Sequence, residues 1–129
     1  MTPTPSDTLI SADSHETAND APIDRKAIQD LRNEGENLLS DLVDMFIAEV
    51  PGQLATLEAA LAKGDAGAIR LTAHTLKGTA GNFGALRMRA LASAIEEKSR
   101  NGSLDGASAT FVELRAECAR VRDALKAVR

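Results

Sequence analysis

Apolar residues in this chain recur at steps of three and four, and they fall into five runs with no clear period-two alternation. The first run is short. Asp24 is placed to cap a helix start, Ile28 and Leu31 share one side, and Gly35 stops the run. The second spans about Asn37 to Lys63, with Leu39, Leu42, Phe46, Val50, Leu54, Leu57 and Leu61 as its stripe. Pro51 lies inside it. An interior proline removes a backbone donor and crowds the preceding turn, which predicts a kink. Gly64 then closes this helix and Asp65 caps the next.

The third helix is predicted over about Ala66 to Asn82, with Ile69, Ala73, Leu76, Ala80 and Phe83 inward and a break at Asn82 to Gly84. The fourth covers about Leu86 to Arg100, carries Met88, Leu91 and Ile95, and ends at Asn101-Gly102. The fifth runs from about Asp105 to Val128. Its apolar set is Leu104, Ala107, Phe111, Leu114, Cys118, Val121, Leu125 and Val128. Those steps alternate between three and four, a heptad seam that predicts left-handed, near-parallel helix packing. Short loops make neighbouring helices antiparallel. The expected fold is all-α: an up-and-down antiparallel four-helix bundle with a short extra N-terminal helix.

Residues 1–22 break the pattern. They hold Pro3, Pro5 and Pro22 among Ser, Thr and Asp, with Leu9 and Ile10 the only large aliphatics. This segment reads as a disordered tail or linker, His15 as a solvated tail histidine, and residues 23–129 as one bundle domain. The composition agrees. In 129 residues there are three Phe and no Trp or Tyr, too few aromatics for a large all-β core. A single cysteine, Cys118, excludes an intrachain disulfide or a thiolate zinc cluster. Its place in the heptad seam reads as a small core residue. No run approaches the ~18–20 apolar residues of a membrane span, and no basic-then-apolar N-terminal leader is seen. The expected location is cytoplasmic.

The net charge of −4 is unevenly spread. Residues 1–22 hold four acids and no Lys or Arg; residues 23–65 hold nine acids and four bases; residues 66–129 hold six acids and eleven bases. A nucleic-acid binder needs a basic domain with stacking aromatics, so that class is set aside. A local basic face toward an acidic partner remains, with Arg70, Lys77, Arg87, Arg89, Lys98 and Arg100 against Glu96 and Glu97. For Arg87 and Arg89 an ordinary charged helix surface is the simpler reading.

The informative segment is Ala73-His74-Thr75-Leu76-Lys77-Gly78-Thr79-Ala80-Gly81-Asn82-Phe83-Gly84. On a helix, His74, Lys77, Gly78 and Gly81 form one stripe, extended a turn earlier by Arg70, and the core stripe lies to one side of it. His74 is therefore expected at the surface. A helix-interior glycine costs about 1 kcal/mol relative to Ala, so two beside the imidazole need a reason. They remove bulk and let another surface approach the ring. Lys77 adds positive charge one turn away. Together they describe an exposed imidazole prepared to carry an anionic group such as a phosphoryl.

This segment resembles the signature of histidine-containing phosphotransfer (HPt) domains: a His, Leu-Lys-Gly closely following, small residues, then Gly-Ala. Here the matching residues are His74, Leu76-Lys77-Gly78 and Gly84-Ala85. The similarity extends over residues 23–127, including Phe46 to Pro51 and Gly64-Asp65. The resemblance implies that His74 takes a phosphoryl group on Nε2 from a receiver-domain aspartyl phosphate and relays it to another receiver. In that reading Lys77 stabilises the phosphoryl oxygens. Gly78 and Gly81 admit the receiver's loops, with Arg70 and Arg100 on the same contact face. Mg²⁺ comes from the receiver, and this chain binds no cofactor. A monomer is expected, and the tail fits either a free N-terminus or a link to a hybrid sensor histidine kinase. If the third and fourth helices turn near Gly84–Ala85, Glu96 lies level with His74. The family often has a polar residue there, bonded to Nδ1. Glu96 either orients the ring in this way, leaving the Nε2 lone pair free, or is a solvated carboxylate beside Glu97.

Other classes fit less well. A di-iron bundle needs several inward Glu and two Glu-x-x-His pairs, which the chain lacks. Gly78-x-x-Gly81-x-x-Gly84 is neither a dinucleotide nor a Walker pattern, and no strand precedes it. A docking bundle that binds a receiver or kinase without carrying phosphate is the alternative.

Overall fold

Several helices start or stop where a side chain or a glycine satisfies unpaired backbone groups. In the computed structural model, which describes residues 21–129, five helices follow one another: α1 (Arg25–Glu34), α2 (Leu38–Lys63), α3 (Ala66–Asn82), α4 (Leu86–Arg100) and α5 (Ala107–Val128). Residues 1–20, with His15 and most of the expected tail, lie outside the described residues. Asp24 caps α1 by accepting from the Ala27 amide at 3.0 Å, and Asp65 caps α3 by accepting from the Ala68 amide at 3.2 Å. Gly64 ends α2 in the left-handed conformation, at φ 68°. Gly35 ends α1 in extended backbone instead. α2 continues as one helix through Pro51.

α2 to α5 form the up-and-down bundle: each packs on its sequence neighbour, α2 closes the ring against α5, and α1 lies on α2. The predicted stripe of α3 is fully inside, with Ile69, Ala73, Leu76, Ala80 and Phe83 all buried. On α2, Leu39, Phe46, Val50 and Leu57 are buried, but Leu42, Leu54 and Leu61 are only half-buried. Val43 and Ala60 share the interior with them. The inward face of α2 is thus broader than one three-four stripe, because the helix contacts α1, α3 and α5. The heptad seam of α5 is buried from Ala107 to Leu125, with Leu104 and Val128 packed at its ends. α5 itself begins at Ala107, behind a left-handed Gly106, rather than at Asp105. Burial pushes the Cys118 thiol up to about 12, with the nearby Glu117 charge adding to it, so it behaves as a core group.

The α3–α4 hairpin positions everything that follows. Its turn is made by Gly84 at φ 60°, with the amides of Gly84 and Ala85 donating to the carbonyls of Gly81 and Ala80. Phe83 is buried edge-on against Phe46, ring centres 6.0 Å apart, which ties the turn to α2. The Asp24 amide donates to the Phe83 carbonyl at 3.0 Å, bringing the start of α1 onto the same turn. At the hairpin's other end the buried Ser99 hydroxyl of α4 donates to the Ala66 carbonyl of α3 at 2.6 Å.

Two left-handed glycines make a test of this arrangement. A Cβ at Gly64 meets nothing within 4 Å, whereas one at Gly84 falls 2.4 Å from Asp24 Cβ and 3.2 Å from Ala27 Cβ. Gly64→Ala should cost only the backbone strain, about 1–2 kcal/mol. Gly84→Ala should cost clearly more and loosen α1. Urea unfolding of both variants, with amide exchange over residues 24–34, measures the difference.

Candidate functional site

His74 stands on the outer face of α3, with its side chain 66% exposed, while Ala73 beside it is fully buried. The hairpin register brings α4 alongside, and Glu96 lies against the ring. Glu96 is only 4% exposed, unlike its neighbour Glu97, so it is a buried carboxylate and not a solvated one. Its Oε2 is 2.8 Å from His74 Nδ1. Its Oε1 is 2.6 Å from the Lys77 ammonium, and Arg100 Nη2 approaches Oε2 at 3.4 Å. One carboxylate thus joins three cationic or donor groups from two helices. Burying a charge requires such partners. The Lys77 ammonium, hydrogen-bonded to it, holds the Glu96 carboxyl below its ordinary value against the upward push of burial, and the bond from His74 adds to the effect.

The chemistry of the ring follows. An ionised carboxylate only accepts hydrogen bonds, so the proton in the contact belongs to Nδ1. A neutral imidazole protonated at Nδ1 carries its lone pair on Nε2. The exposed side of the ring is then the nucleophilic side.

The glycines beside the ring have no structural occupation. Gly78 and Gly81 are exposed, and a Cβ at either meets nothing within 4 Å. The fold does not need glycine at these positions. Arg70 is exposed one turn before His74. Arg100 is held by Glu97 at 3.0 Å as well as facing Glu96. Lys77 is half-buried, and its ammonium, expected near phosphoryl oxygens, is engaged by Glu96.

The remaining bases of this stretch mostly turn elsewhere. Arg87 reaches α5, 3.4 Å from Glu113 and 3.7 Å from the buried Glu117, and Lys98 donates to the Asp105 carbonyl at 2.8 Å. An apolar group that pattern reading missed is Leu71, 69% exposed and three residues before His74. It lines an open groove between α2 and α3 together with Thr75, Gln53 and Gly52. The signal for it was available: a leucine at 71 falls outside the Ile69–Ala73–Leu76 stripe. Among the described residues no group of His, Cys, Asp and Glu could hold a metal ion, and no helix is long and apolar enough to cross a membrane.

An all-α bundle presenting one exposed, carboxylate-anchored histidine on a helix face defines a class. The family model for the Hpt domain matches residues 41–124, from the first turn of α2 into the last turns of α5. The chain belongs to the Hpt family: it is a histidine-containing phosphotransfer protein of phosphorelays, a phosphocarrier and not a catalytic enzyme. Among solved structures it is similar to histidine-containing phosphotransfer protein B (HptB) from Pseudomonas aeruginosa PAO1. The two share 33% identity over 83% of this chain and 93% of that one, with a TM-score of 0.78. No curated protein sequence matches the chain.

The Glu96 cluster carries a pH signature. Its carboxyl is held below its ordinary value of 4.5 in the fold, so the unfolded chain binds that proton more readily. The stabilisation is complete above about that pH and is lost as pH falls through the lower folded value. The stability gap between the native protein and Glu96→Gln should therefore narrow on acidification below 4.5. Urea midpoints of both proteins between about pH 3 and 6 measure that gap.

Proposed function

We propose that His74 is the phosphoacceptor, and that its Nε2 accepts the phosphoryl group of a receiver-domain aspartyl phosphate and passes it to a second receiver. The observation that carries this is the pairing of an exposed imidazole with a buried carboxylate on Nδ1. Phosphoryl transfer asks for in-line positioning and charge neutralisation more than covalent chemistry from the carrier. Glu96 holds the ring in position. Lys77 spends one donor on Glu96, and an ammonium has three, so two remain for phosphoryl oxygens. Gly78 and Gly81 are places where the receiver's loops approach, Leu71 is an apolar contact beside them, and Arg70 and Arg100 complement the receiver's acidic pocket. The receiver supplies Mg²⁺, and this chain binds none. The receiver donor is either a separate protein or part of a hybrid sensor histidine kinase, in cis or in trans. The relay is cytoplasmic. The seam of α5 is filled within one chain, which supports a monomer.

Transfer of labelled phosphate from an Asp-phosphorylated receiver with Mg²⁺ tests the reading. The label on this chain should be acid-labile and alkali-stable, and His74→Gln should abolish it while partner binding persists. Binding without label in the unaltered protein, across several receivers, overturns the carrier reading in favour of a docking module.

Gly78→Ala and Gly81→Ala separate access from folding. Each should leave stability unchanged or raised by up to about 1 kcal/mol, from helix propensity alone. Each should slow transfer from a receiver several-fold. Thermal melts and single-turnover transfer rates on the same variants provide the comparison.

A further inference from the structure

We propose that residues 7–13 of this same chain dock into an apolar groove between α2 and α5, on the face of the bundle across from His74. The groove holds about 290 Å³. Ile47, Pro51 and Leu54 of α2 form one wall and Ala119 of α5 the other, with the exposed Arg115 and Arg122 at the rim. The groove originates in the helix contact itself. α2 and α5 pack less closely than any other adjacent pair in the ring, and α5 presents only the small Cys118 and Ala119 opposite the proline. Ile47 and Leu54 stay half-buried and Pro51 stays exposed, so the four helices close their ring without covering this apolar surface. The charged residues that line it are both arginines. The α2–α5 contact lies opposite the α3–α4 contact at which Glu96 meets His74, so a segment docked there leaves the histidine open.

Chemistry, reach and tethering select the occupant. Residues 1–20 carry Asp7, Asp13, Glu16 and Asp20 with no Lys or Arg, and Leu9 and Ile10 are their only large aliphatics. Two aliphatic side chains between acids complement an apolar floor between arginines. Arg115 faces Glu58 at 3.6 Å and lies 5.4 Å from the centre of the Phe111 ring, and Arg122 faces Asp123 at 3.1 Å. Both ion pairs are exposed, and pairs in water are weak. A guanidinium has five N–H donors, so both arginines keep donors for a second carboxylate. Reach follows from where the segment is attached. α1 crosses the end of the bundle where α2 begins and α5 finishes, because the Asp24 amide donates to the Phe83 carbonyl and Arg32 donates to the Val128 carbonyl. From Leu38 the groove runs from about 14 to about 24 Å along α2, and one helix width adds about 10 Å. The chain from Ala21 back to Ile10 spans about 36 Å when extended, which is enough. A tethered segment of this kind has an effective concentration of about 1 mM, so a contact too weak to capture a free peptide is populated within one chain.

Methyl and amide NMR on the full chain tests the proposal. Nuclear Overhauser contacts should join the Leu9 and Ile10 methyls to those of Ile47 and Leu54, and they should persist unchanged on dilution. Leu9→Asp combined with Ile10→Asp should abolish them and shift the Ile47, Leu54 and Ala119 signals, with the rest of the bundle unmoved. Arg115→Glu combined with Arg122→Glu, both at exposed positions, should lower the ratio of docked to free segment about tenfold at low salt. Circular dichroism checks that the helices of that variant are retained. Groove signals that are identical in the intact chain and in the Leu9 and Ile10 variant overturn the proposal. So does a docked population that a folded Arg115 and Arg122 variant leaves untouched. Contacts that grow with concentration and join differently labelled chains place a second copy in the groove, and they overturn it as well. None of the substituted positions belongs to the His74 site, so the acceptor assignment is decided separately by His74→Gln.

Discussion

The left-handed turn at Gly84 is the constraint on which the site depends. It lets α4 fold back on α3 within a few residues, and it lies so close to Asp24 that no side chain fits between them. Register in an antiparallel helix pair is set by the turn, and once set it decides which residues of the two helices meet. Here it brings Glu96 level with His74 and Ser99 level with Ala66. The Phe83–Phe46 contact and the Asp24–Phe83 hydrogen bond hold the turn itself against α2 and α1. A one-residue slip here would move Glu96 off the ring by about 100° around its helix.

Glycine has two different uses in α3 and its flanks. At Gly64 and Gly84 the backbone is left-handed, and glycine is needed by the fold itself. At Gly78 and Gly81 the backbone is ordinary helix with open space around it, and glycine weakens the helix for no internal gain. A residue that costs stability and satisfies nothing inside the molecule points outward, to whatever must approach His74.

Charge is divided in a similar way. The basic half of the chain is not one uniform binding face. Arg87 is drawn to α5 by Glu113 and the buried Glu117, and Lys98 is drawn to the loop before α5 by a backbone carbonyl. What remains around His74 is Arg70, Lys77 and Arg100, two of which also meet Glu96. The carboxylate therefore does more than hold a ring: it gathers the local positive charge beside His74.

Local chemistry determined the helices, their caps and the motif. The three-four spacing of α3 and α5 is a property of a single helix, capping by Asp24 and Asp65 is a contact over three residues, and the His74-Lys77-Gly78-Gly81 stripe follows from helical geometry alone. These were legible because each depends only on near neighbours in the chain. The broader inward face of α2, with Val43 and Ala60, was not, because it depends on three helices meeting it at once. Nor was the state of Glu96. Two adjacent glutamates look alike in a sequence, and only the packing of α4 on α3 buries one of them beside an imidazole, a lysine and an arginine while its neighbour stays in water. Burial and long-range pairing are decided by tertiary contacts, and so is the charge environment of the histidine.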